Sequence, residues 1–315
     1  MRFLVTGGAG FIGSHLSEKL LSQGHVVCCL DSFNDYYDPR IKRGNVQTAL
    51  KNSAYKLLEG DILDPAFLEH LFHTERFDIV IHLAARAGVR PSIQEPLLYE
   101  RVNVQGTMNL LELCKSSEIG KFIFASSSSV YGANQKVPFS ESDPVDNPIS
   151  PYAATKKAAE LICYTYHRLY GLSINCLRFF TVYGPRQRPD MAIHKFARLM
   201  SQGLPIPVYS GGQSRRDYTY IDDILQGIQG AIDFCDDYRI YNLGESKTVE
   251  LMDLIDLLQR TLGVKARLEM LPDQKGDVPI TYADISRART ELNYNPQTGI
   301  EEGIRRFAEW FAGIA

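Results

Sequence analysis

Apolar residues along the chain fall in short runs separated by longer amphipathic stretches. Arg2–Val5, His25–Leu30, Tyr55–Leu58, Phe77–Leu83, Lys121–Ser126 and Ser173–Phe179 are such runs. Most are bounded by turn residues, the pattern of strands buried on both faces. Helical stretches lie between them. One leads from the glycine run Gly7–Gly13 to Gln23 and stops at Gly24; a short one is expected near Arg43–Lys51, and a long one over Leu98–Ser117. Another runs from Pro151 to Tyr170, with Ser150 suited to the N-cap, Pro151 to the first helical position and Gly171 to the stop. This alternation predicts an α/β fold with a parallel, doubly wound sheet. After Pro185 the rhythm loosens. Helices are expected at Ala192–Gln202, Asp222–Phe234 and Ile300–Phe311, an amphipathic stretch at Val249–Leu262, and strands at Ile206–Tyr209 and Arg267–Met270. Arg239–Leu243 is expected to return a strand to the first sheet. The expected division is residues 1–180, plus a returning segment of about 217–248, in the sheet domain. Residues 181–216 and 249–315 then form a smaller C-terminal lobe capping a cleft.

Doubly wound sheets bind ligands beyond the C-terminal ends of their strands. Asp31, Asp61, Ala84, Ser127 and Thr181 all fall at or just past expected strand ends. The first strand runs into Gly7, Gly10, Phe11, Ile12 and Gly13, spaced G-x-x-G-x-x-G, and then a helix. Glycines there let the backbone approach a pyrophosphate, and the helix N-terminus favours its charge. The second strand ends in Asp31, where a carboxylate binds a ribose diol and would repel a 2′-phosphate. The unit therefore reads as a Rossmann dinucleotide site for NAD rather than NADP. The turn-rich segment from Ser32 to Ser53, with Asn34, is expected over the adenosine end, and Asp61-Ile62 at the adenine edge. Leu83, Ala84 and Ala85 end the fourth strand with small residues suited to face a cofactor.

Tyr152 and Lys156 stand four apart in the Pro151–Tyr170 stretch, so on a helix they share a face. An unperturbed Tyr titrates near pH 10, so service as a base at neutral pH needs a shift of roughly three units, about 4 kcal/mol. A neighbouring ammonium and a nicotinamide cation both favour the phenolate.

Composition narrows the classes. A net charge of -3 gives no electrostatic footprint for nucleic acid. The six cysteines include no C-x-x-C and mostly sit in apolar runs, which predicts buried free thiols in a reducing compartment. The seven histidines have no ligand spacing, so no metal is expected. No apolar run approaches the length of a membrane span, and a strand begins at once at the N-terminus, leaving no room for a signal peptide. The expectation is a cytoplasmic protein with no membrane partner.

Taken together, Gly7–Gly13, Asp31, Asp61-Ile62, Ser127–Gly132, Tyr152/Lys156, Arg215-Arg216-Asp217-Tyr218 and Gly276-Asp277-Val278-Pro279 resemble the extended short-chain dehydrogenase/reductases, specifically their nucleotide-sugar epimerases. Within these, Phe33–Pro39, Ala87–Arg90 and Phe179–Asp190 resemble UDP-glucuronate 4-epimerases. The resemblance implies a tightly held NAD, reduced and reoxidised within one turnover, and inversion at C4 through a 4-keto sugar. It implies Tyr152 as the base at the 4-hydroxyl, Lys156 on the nicotinamide ribose and Ser127 as hydrogen-bond partner of the C4 oxygen. It further implies Arg216 as diphosphate ligand, Asp277 among the sugar-nucleotide residues, and Asn103 as a brace for the active-site backbone. Ser128, Ser129 and Thr181 would hold the uronate carboxylate through neutral hydroxyls, with Arg188 a cation at the pocket edge and Arg90 a further candidate. Family members usually form homodimers through helices matching Leu98–Ser117 and Pro151–Tyr170.

Related decarboxylases carry Glu at the position of Ser129, and related 4,6-dehydratases carry Asp-Glu at Ser128-Ser129. Neither acid is present here. UDP-glucose epimerases typically carry Asn where Thr181 stands. Two positions depart from the UDP-galactose epimerases: Gln274 replaces a phosphate-binding Arg, and Thr281 a bulky Tyr, which opens room for a 2-acetamido sugar. The alternatives are thus a UDP-glucose or UDP-N-acetylhexosamine 4-epimerase, a decarboxylase, and a non-catalytic NAD-sensing module.

Overall fold

The computed structural model describes residues 1–274 and 276–314; Lys275 and Ala315 lie outside them. The chain runs β1 (Arg2–Thr6), α1 (Phe11–Ser22), β2 (Val26–Asp31), α2 (Pro39–Asn45), β3 (Tyr55–Glu59), α3 (Pro65–Thr74) and β4 (Ile79–His82). Next come α4 (Val89–Gln94) and α5 (Pro96–Glu100), then a π-helical turn over Arg101–Gln105 that leads into α6 (Gly106–Ser116). They are followed by β5 (Lys121–Ser127), α7 (Pro151–Tyr170), β6 (Ser173–Phe179), β7 (Thr181–Tyr183), α8 (Ala192–Ser201) and β8 (Pro205–Tyr209). The remainder is β9 (Arg215–Arg216), β10 (Tyr218–Tyr220), α9 (Ile221–Asp233), β11 (Tyr238–Leu243), β12 (Val249–Glu250), α10 (Leu251–Leu262), β13 (Arg267–Leu271), α11 (Ser286–Leu292) and α12 (Ile300–Ala312).

Seven strands form one sheet in the order β11-β6-β5-β4-β1-β2-β3. Pairings β1–β2, β2–β3, β1–β4 and β4–β5 are parallel, with Leu4 opposite both Cys28 and Val80. From β1 the order steps through β2 to β3 on one side, and through β4 and β5 to β11 on the other. The reversal at β1/β4 leaves a crevice beyond the strand ends, and the glycine turn follows β1 there. Leu4, Leu30, Val80, Phe122 and Phe124 of the sheet are buried with Leu68 and Leu71 of α3, Leu110 and Cys114 of α6, and Ala159 and Cys163 of α7. All six cysteines are buried and free of disulfides, as their apolar settings predict.

The chain divides into two compact units. The first comprises Met1–Asn134, Pro144–Arg178 and Ile228–Tyr241; the second comprises Gln135–Asp143, Phe179–Gly227 and Asn242–Ala315. The returning segment is thus narrower than the expected 217–248. Tyr218–Tyr220 pairs in parallel with Thr181–Tyr183, and Asn242 Nδ2 donates to the carbonyls of Phe139 (2.8 Å) and Asp284 (3.0 Å). Both engagements lie within the second unit. An excursion of the chain joins it as well: Phe139 N donates to Tyr282 O (2.7 Å), and Phe139 O accepts from Asp284 N (2.9 Å). The second unit is otherwise built on the pairs β8–β13, parallel, and β9–β12, antiparallel.

Two element boundaries differ from expectation for identifiable reasons. The helix expected near Arg43–Lys51 begins at Pro39, because Asp38 caps it by accepting from Arg40 N, and only a short turn follows at Ala49–Lys51. The long helix expected over Leu98–Ser117 begins at Pro96, and the π turn interrupts it before Gly106.

Candidate active site

The glycine turn is a close-packed corner. Gly7 has φ +66°, and a Cβ there would stand 2.7 Å from Ala84 N; a Cβ at Gly13 would stand 2.4 Å from Gly7 O. Side chains are thereby excluded where α1 meets β1 and β4. Gly10 caps α1 without a side-chain hydrogen bond, so Phe11, Ile12 and Gly13 open the helix with amides available to an anion.

Asp31, at the tip of β2, is buried. Its Oδ2 accepts from Ala9 N (3.2 Å), and its Oδ1 accepts from Phe33 N (2.9 Å) and Lys42 Nζ (3.1 Å). Three of roughly four acceptor positions are engaged, leaving room for one ribose hydroxyl. Asn34 folds into its own turn: Oδ1 accepts from Tyr36 N (3.2 Å) and Nδ2 donates to Ser32 Oγ (3.1 Å). Asp61 is exposed, and its Oδ1 accepts from Leu63 N (2.9 Å). The Ile62 side chain is buried and its carbonyl accepts from Asn109 Nδ2 (2.9 Å). Leu83 N donates to Thr6 O (3.1 Å) and Ala84 N to Thr6 Oγ1 (3.2 Å), which continues the β4 edge past its last strand residue; Ala85 is half-buried beside them. The uncapped helix start, the side-chain-free corner and the remaining acceptor on Asp31 fit a dinucleotide.

α7 forms as its end signals require. Ser150 Oγ accepts from Ala153 N, Pro151 takes the first turn, and Gly171 adopts the left-handed conformation at the C-terminus. Tyr152 is half-buried, and its ring meets that of Tyr99 edge-on, with centroids 6.2 Å apart. Lys156, one turn on, is buried. Its Nζ donates to Ala125 O (2.7 Å) and lies 4.9 Å from the Phe124 ring centroid. Burial pushes its pKa down to about 8, against an upward pull from Cys163 and Glu160. Lys156 is therefore charged at neutral pH, held by a carbonyl of β5.

β5 ends at Ser127, whose Oγ accepts from Ser129 N (3.2 Å) and donates to Ser129 Oγ (3.1 Å). Ser127 thus caps the short helical turn Ser128–Tyr131, in which Ser128 and Ser129 are half-buried. A hydroxyl has one proton to donate, so Ser127 must turn its O–H from Ser129 to serve any ligand. Arg90, on α4, is exposed.

The remaining expected residues lie in the second unit. Thr181 N donates to Asp217 O (3.0 Å). Arg216 is half-buried, with Nη1 donating to Arg215 O (2.9 Å). Arg188, expected as a cation at the pocket edge, forms a two-pronged ion pair with Asp190, at 3.0 and 2.7 Å. Asp277 is exposed. Among the described residues no cluster of three or more His, Cys, Asp or Glu is arranged to hold a metal ion.

Two residues near this chemistry escaped the sequence reading. Lys42 pairs with Asp31; the Asp38-Pro39 helix start, recognised, would have placed it on the helix that follows that strand. Glu160 stands one turn beyond Lys156, and the four-residue spacing that linked Tyr152 to Lys156 extends to it. The buried Glu160 carboxylate accepts Arg178 Nε and Nη2 (both 2.9 Å) and Ser126 Oγ (2.6 Å), while Arg178 Nη1 donates to Tyr131 OH (3.0 Å). This network joins α7, β6, the end of β5 and the serine turn. Asn103 braces the backbone as the resemblance implied: Oδ1 accepts from Arg86 N (2.8 Å), and Nδ2 donates to Arg86 O (2.9 Å).

Comparison with known proteins shows the family. The GDP-mannose 4,6 dehydratase family description matches residues 4–307. The chain is 47% identical over 328 residues to UDP-glucuronate 4-epimerase 3 of Arabidopsis thaliana, spanning 98% of this chain and 76% of that protein. It is 46% identical over 309 residues to the UDP-glucuronate 4-epimerase of Thermodesulfobacterium geofontis, spanning 98% and 95%. Among solved structures, UDP-glucuronic acid 4-epimerase from Bacillus cereus, in complex with UDP-glucuronic acid and NAD, superposes with a TM-score of 0.94 at 36% identity over the whole of both chains. A glycine corner for a dinucleotide, a Tyr and Lys one helical turn apart, and full-length likeness at this level place the chain together: it belongs to the GDP-mannose 4,6 dehydratase family of extended short-chain dehydrogenase/reductases, among relatives that are UDP-glucuronate 4-epimerases.

Proposed function

We propose that this protein is an NAD-dependent isomerase that interconverts UDP-glucuronate and UDP-galacturonate by inversion at C4. The observation that carries the reading is that Tyr152 and Lys156 stand one turn apart on α7, with the Lys156 ammonium on the Ala125 carbonyl of β5, in the unit that carries the glycine corner. The residues that would hold NAD are Gly7, Gly10, Phe11, Ile12 and Gly13 at the diphosphate, Asp31 and Asn34 at the adenosine ribose, and Asp61 and Ile62 at the adenine. Leu83, Ala84, Ala85, Tyr152 and Lys156 complete the set. When bound, NAD supplies a reversible hydride acceptor, so no net oxidation accompanies turnover.

Tyr152 takes the proton from the 4-hydroxyl and later returns it to the oxygen of the inverted centre. Lys156, charged below about pH 8, favours the phenolate. Ser127 turns its O–H toward O4 and polarises the developing carbonyl. A 4-keto uronate is a β-keto acid that loses CO2 readily, so its carboxylate must be held without driving that loss. Ser128 and Ser129 offer neutral hydroxyls and no acid group. Arg90 is a further ligand candidate in the first unit. Within the second unit we assign Arg216 to the diphosphate, Thr181 to the carboxylate, and Arg188 and Asp277 to the sugar nucleotide. The first unit is thus the proposed NAD-binding domain and the second the proposed sugar-nucleotide lobe. A homodimer is supported by apolar side chains left exposed on α5, α6 and α7: Leu97, Met108, Leu161 and Tyr164. A cytoplasmic location is supported by six unpaired cysteines, and no helix among the described residues is long and apolar enough to cross a membrane.

The test is incubation of purified protein with UDP-glucuronate, followed by NMR of the sugar. Formation of UDP-galacturonate is expected, and Tyr152→Phe should abolish it while leaving NAD bound. Turnover of UDP-glucose alone would replace this reading with the UDP-glucose 4-epimerase. Release of CO2 with a UDP-pentose would make the protein a decarboxylase, and bound NAD without turnover of any sugar a sensing module.

A further inference from the structure

The loop from β4 to α4 is pinned by side chains from several elements. Thr6 holds Leu83 and Ala84, and Asn103 holds both backbone groups of Arg86. The next carbonyl, of Ala87, accepts two phenols at once: Tyr36 OH at 2.7 Å and Tyr99 OH at 2.8 Å. A carbonyl oxygen has two lone pairs, so both are engaged.

The two tyrosines come from different places. Tyr36 lies in the segment that continues from Asp31, folded back by the Asn34 turn, and its ring lies under the Arg86 guanidinium, 5.7 Å from centroid to Cζ. Tyr99 lies on α5 and is fully buried, with its ring set against Tyr152 at an interplanar angle of 83°. A second thread runs the same way: Asn103 Nδ2 donates to Thr155 Oγ1 (3.1 Å), and Thr155 Oγ1 donates to Tyr152 O (2.9 Å).

We propose that the Ala87 carbonyl couples the adenosine end of the cofactor site to the catalytic tyrosine, with Tyr36 and Tyr99 as positioning residues on its two sides. The inference rests on the reading of Tyr152 as the proton-transfer group and of Asp31 as a ribose ligand. Neither Tyr36 nor Tyr99 need touch a reacting atom. When the segment after Asp31 is seated, Tyr36 fixes the Ala87 peptide; that peptide fixes the Tyr99 hydroxyl, and the Tyr99 ring fixes the plane of Tyr152. Removing either hydroxyl leaves the other tyrosine bonded to a carbonyl that is held from one side only.

The test is a cycle of Tyr36→Phe, Tyr99→Phe and the double variant in the NAD-loaded enzyme. Each conserves its ring, and because Tyr99 is fully buried while Tyr36 is only half-buried, Tyr36→Phe is the variant that decides the test. Each single variant should lower kcat roughly three- to tenfold, the worth of one hydrogen bond, with KM for UDP-glucuronate within about twofold. The double variant should fall short of the product of the two losses, as residues acting through one acceptor do. Unchanged kcat in Tyr36→Phe, full recovery of the loss by excess NAD, or strictly multiplicative losses would each overturn the coupling. A readout independent of turnover separates this from failure of the functional reading. In holoprotein labelled with 13C at tyrosine Cζ, Tyr36→Phe should shift the Tyr152 resonance, assigned by its disappearance in Tyr152→Phe. If wild-type protein is inactive on UDP-glucuronate yet that shift appears, the coupling stands and the assigned sugar falls. A Tyr152 resonance indifferent to Tyr36 sinks the coupling whatever the activity.

Discussion

Lys42 Nζ lies 3.1 Å from Asp31 Oδ1, and both side chains are less than a tenth exposed. The carboxylate at the tip of β2 is therefore part of a neutral pair, held also by two backbone amides. With Asp31 at the adenosine ribose, as proposed, rejection of a 2′-phosphate would rest on Asp31 outweighing Lys42 rather than on an isolated negative charge. Asp31→Asn would leave Lys42 buried and unopposed. It should shift the ratio of NADP to NAD affinity toward NADP by on the order of ten- to a hundredfold, the size of one charge interaction at moderate effective dielectric. Lys42→Met should move the ratio the other way. Calorimetric titration of both cofactors into apo-protein measures this, and a ratio unmoved by Asp31→Asn would remove Asp31 from cofactor choice.

Ser127 caps a turn and has a proposed catalytic duty, and one substitution separates the two. As the cap of the serine turn it is worth about 1 kcal/mol of stability. In the proposed role of donor to O4 it would be worth about a hundredfold or more in kcat. Ser127→Ala should therefore cost little in thermal unfolding and much in turnover. A fall in kcat no larger than the loss of folded protein would confine Ser127 to the turn.

The buried pair of Glu160 and Arg178 should respond strongly to the loss of one member. Arg178→Met leaves the buried carboxylate with only Ser126 and a longer contact to Lys157 (3.7 Å) and should cost up to about 3–5 kcal/mol in urea unfolding, whereas replacing both residues by Met should recover most of it. The double variant would still lack the links to Ser126 and Tyr131, so recovered stability should come with reduced kcat. Full activity in the doubly substituted protein would show that the network does not place the serine turn.

Asp217 and Glu245 give the second unit an unusual pH response. Burial raises the Asp217 pKa to about 6, although amides of Glu245, Ser246 and Ala283 bond its carboxylate; burial and Asp223 raise Glu245 to about 7. Unfolded, both ionise near pH 4. Between about pH 4 and 7 the native state thus binds more protons than the unfolded state, and the contribution of these groups to stability declines as pH rises. Glu245→Gln should be stabilised relative to wild type progressively from pH 5 to 8. Urea midpoints measured across that interval check the sign, and a difference independent of pH would contradict the raised Glu245 pKa.

The sequence foretold best what local chemistry decides. α7 begins and ends where Ser150, Pro151 and Gly171 place it, and β6 matches Ser173–Phe179 to the residue. Elements of two or three residues such as β9, β10 and β12 carry no periodicity; their strand character comes from partners remote in sequence. α3 lies outside the expected elements, although Asp64 and Pro65 form its cap and first turn. At the site, residue types and spacing brought out Tyr152, Lys156 and Ser127. The hydrogen bonds that occupy Ser127, the Asp190 partner of Arg188 and the Lys42 neighbour of Asp31 depend on tertiary placement, which no local pattern encodes.

Three stretches of the first unit alternate along the chain with three of the second, so the polypeptide passes between them five times. No single cut in the gene releases either one whole. A fusion that carried over either unit would have to bring the whole chain with it.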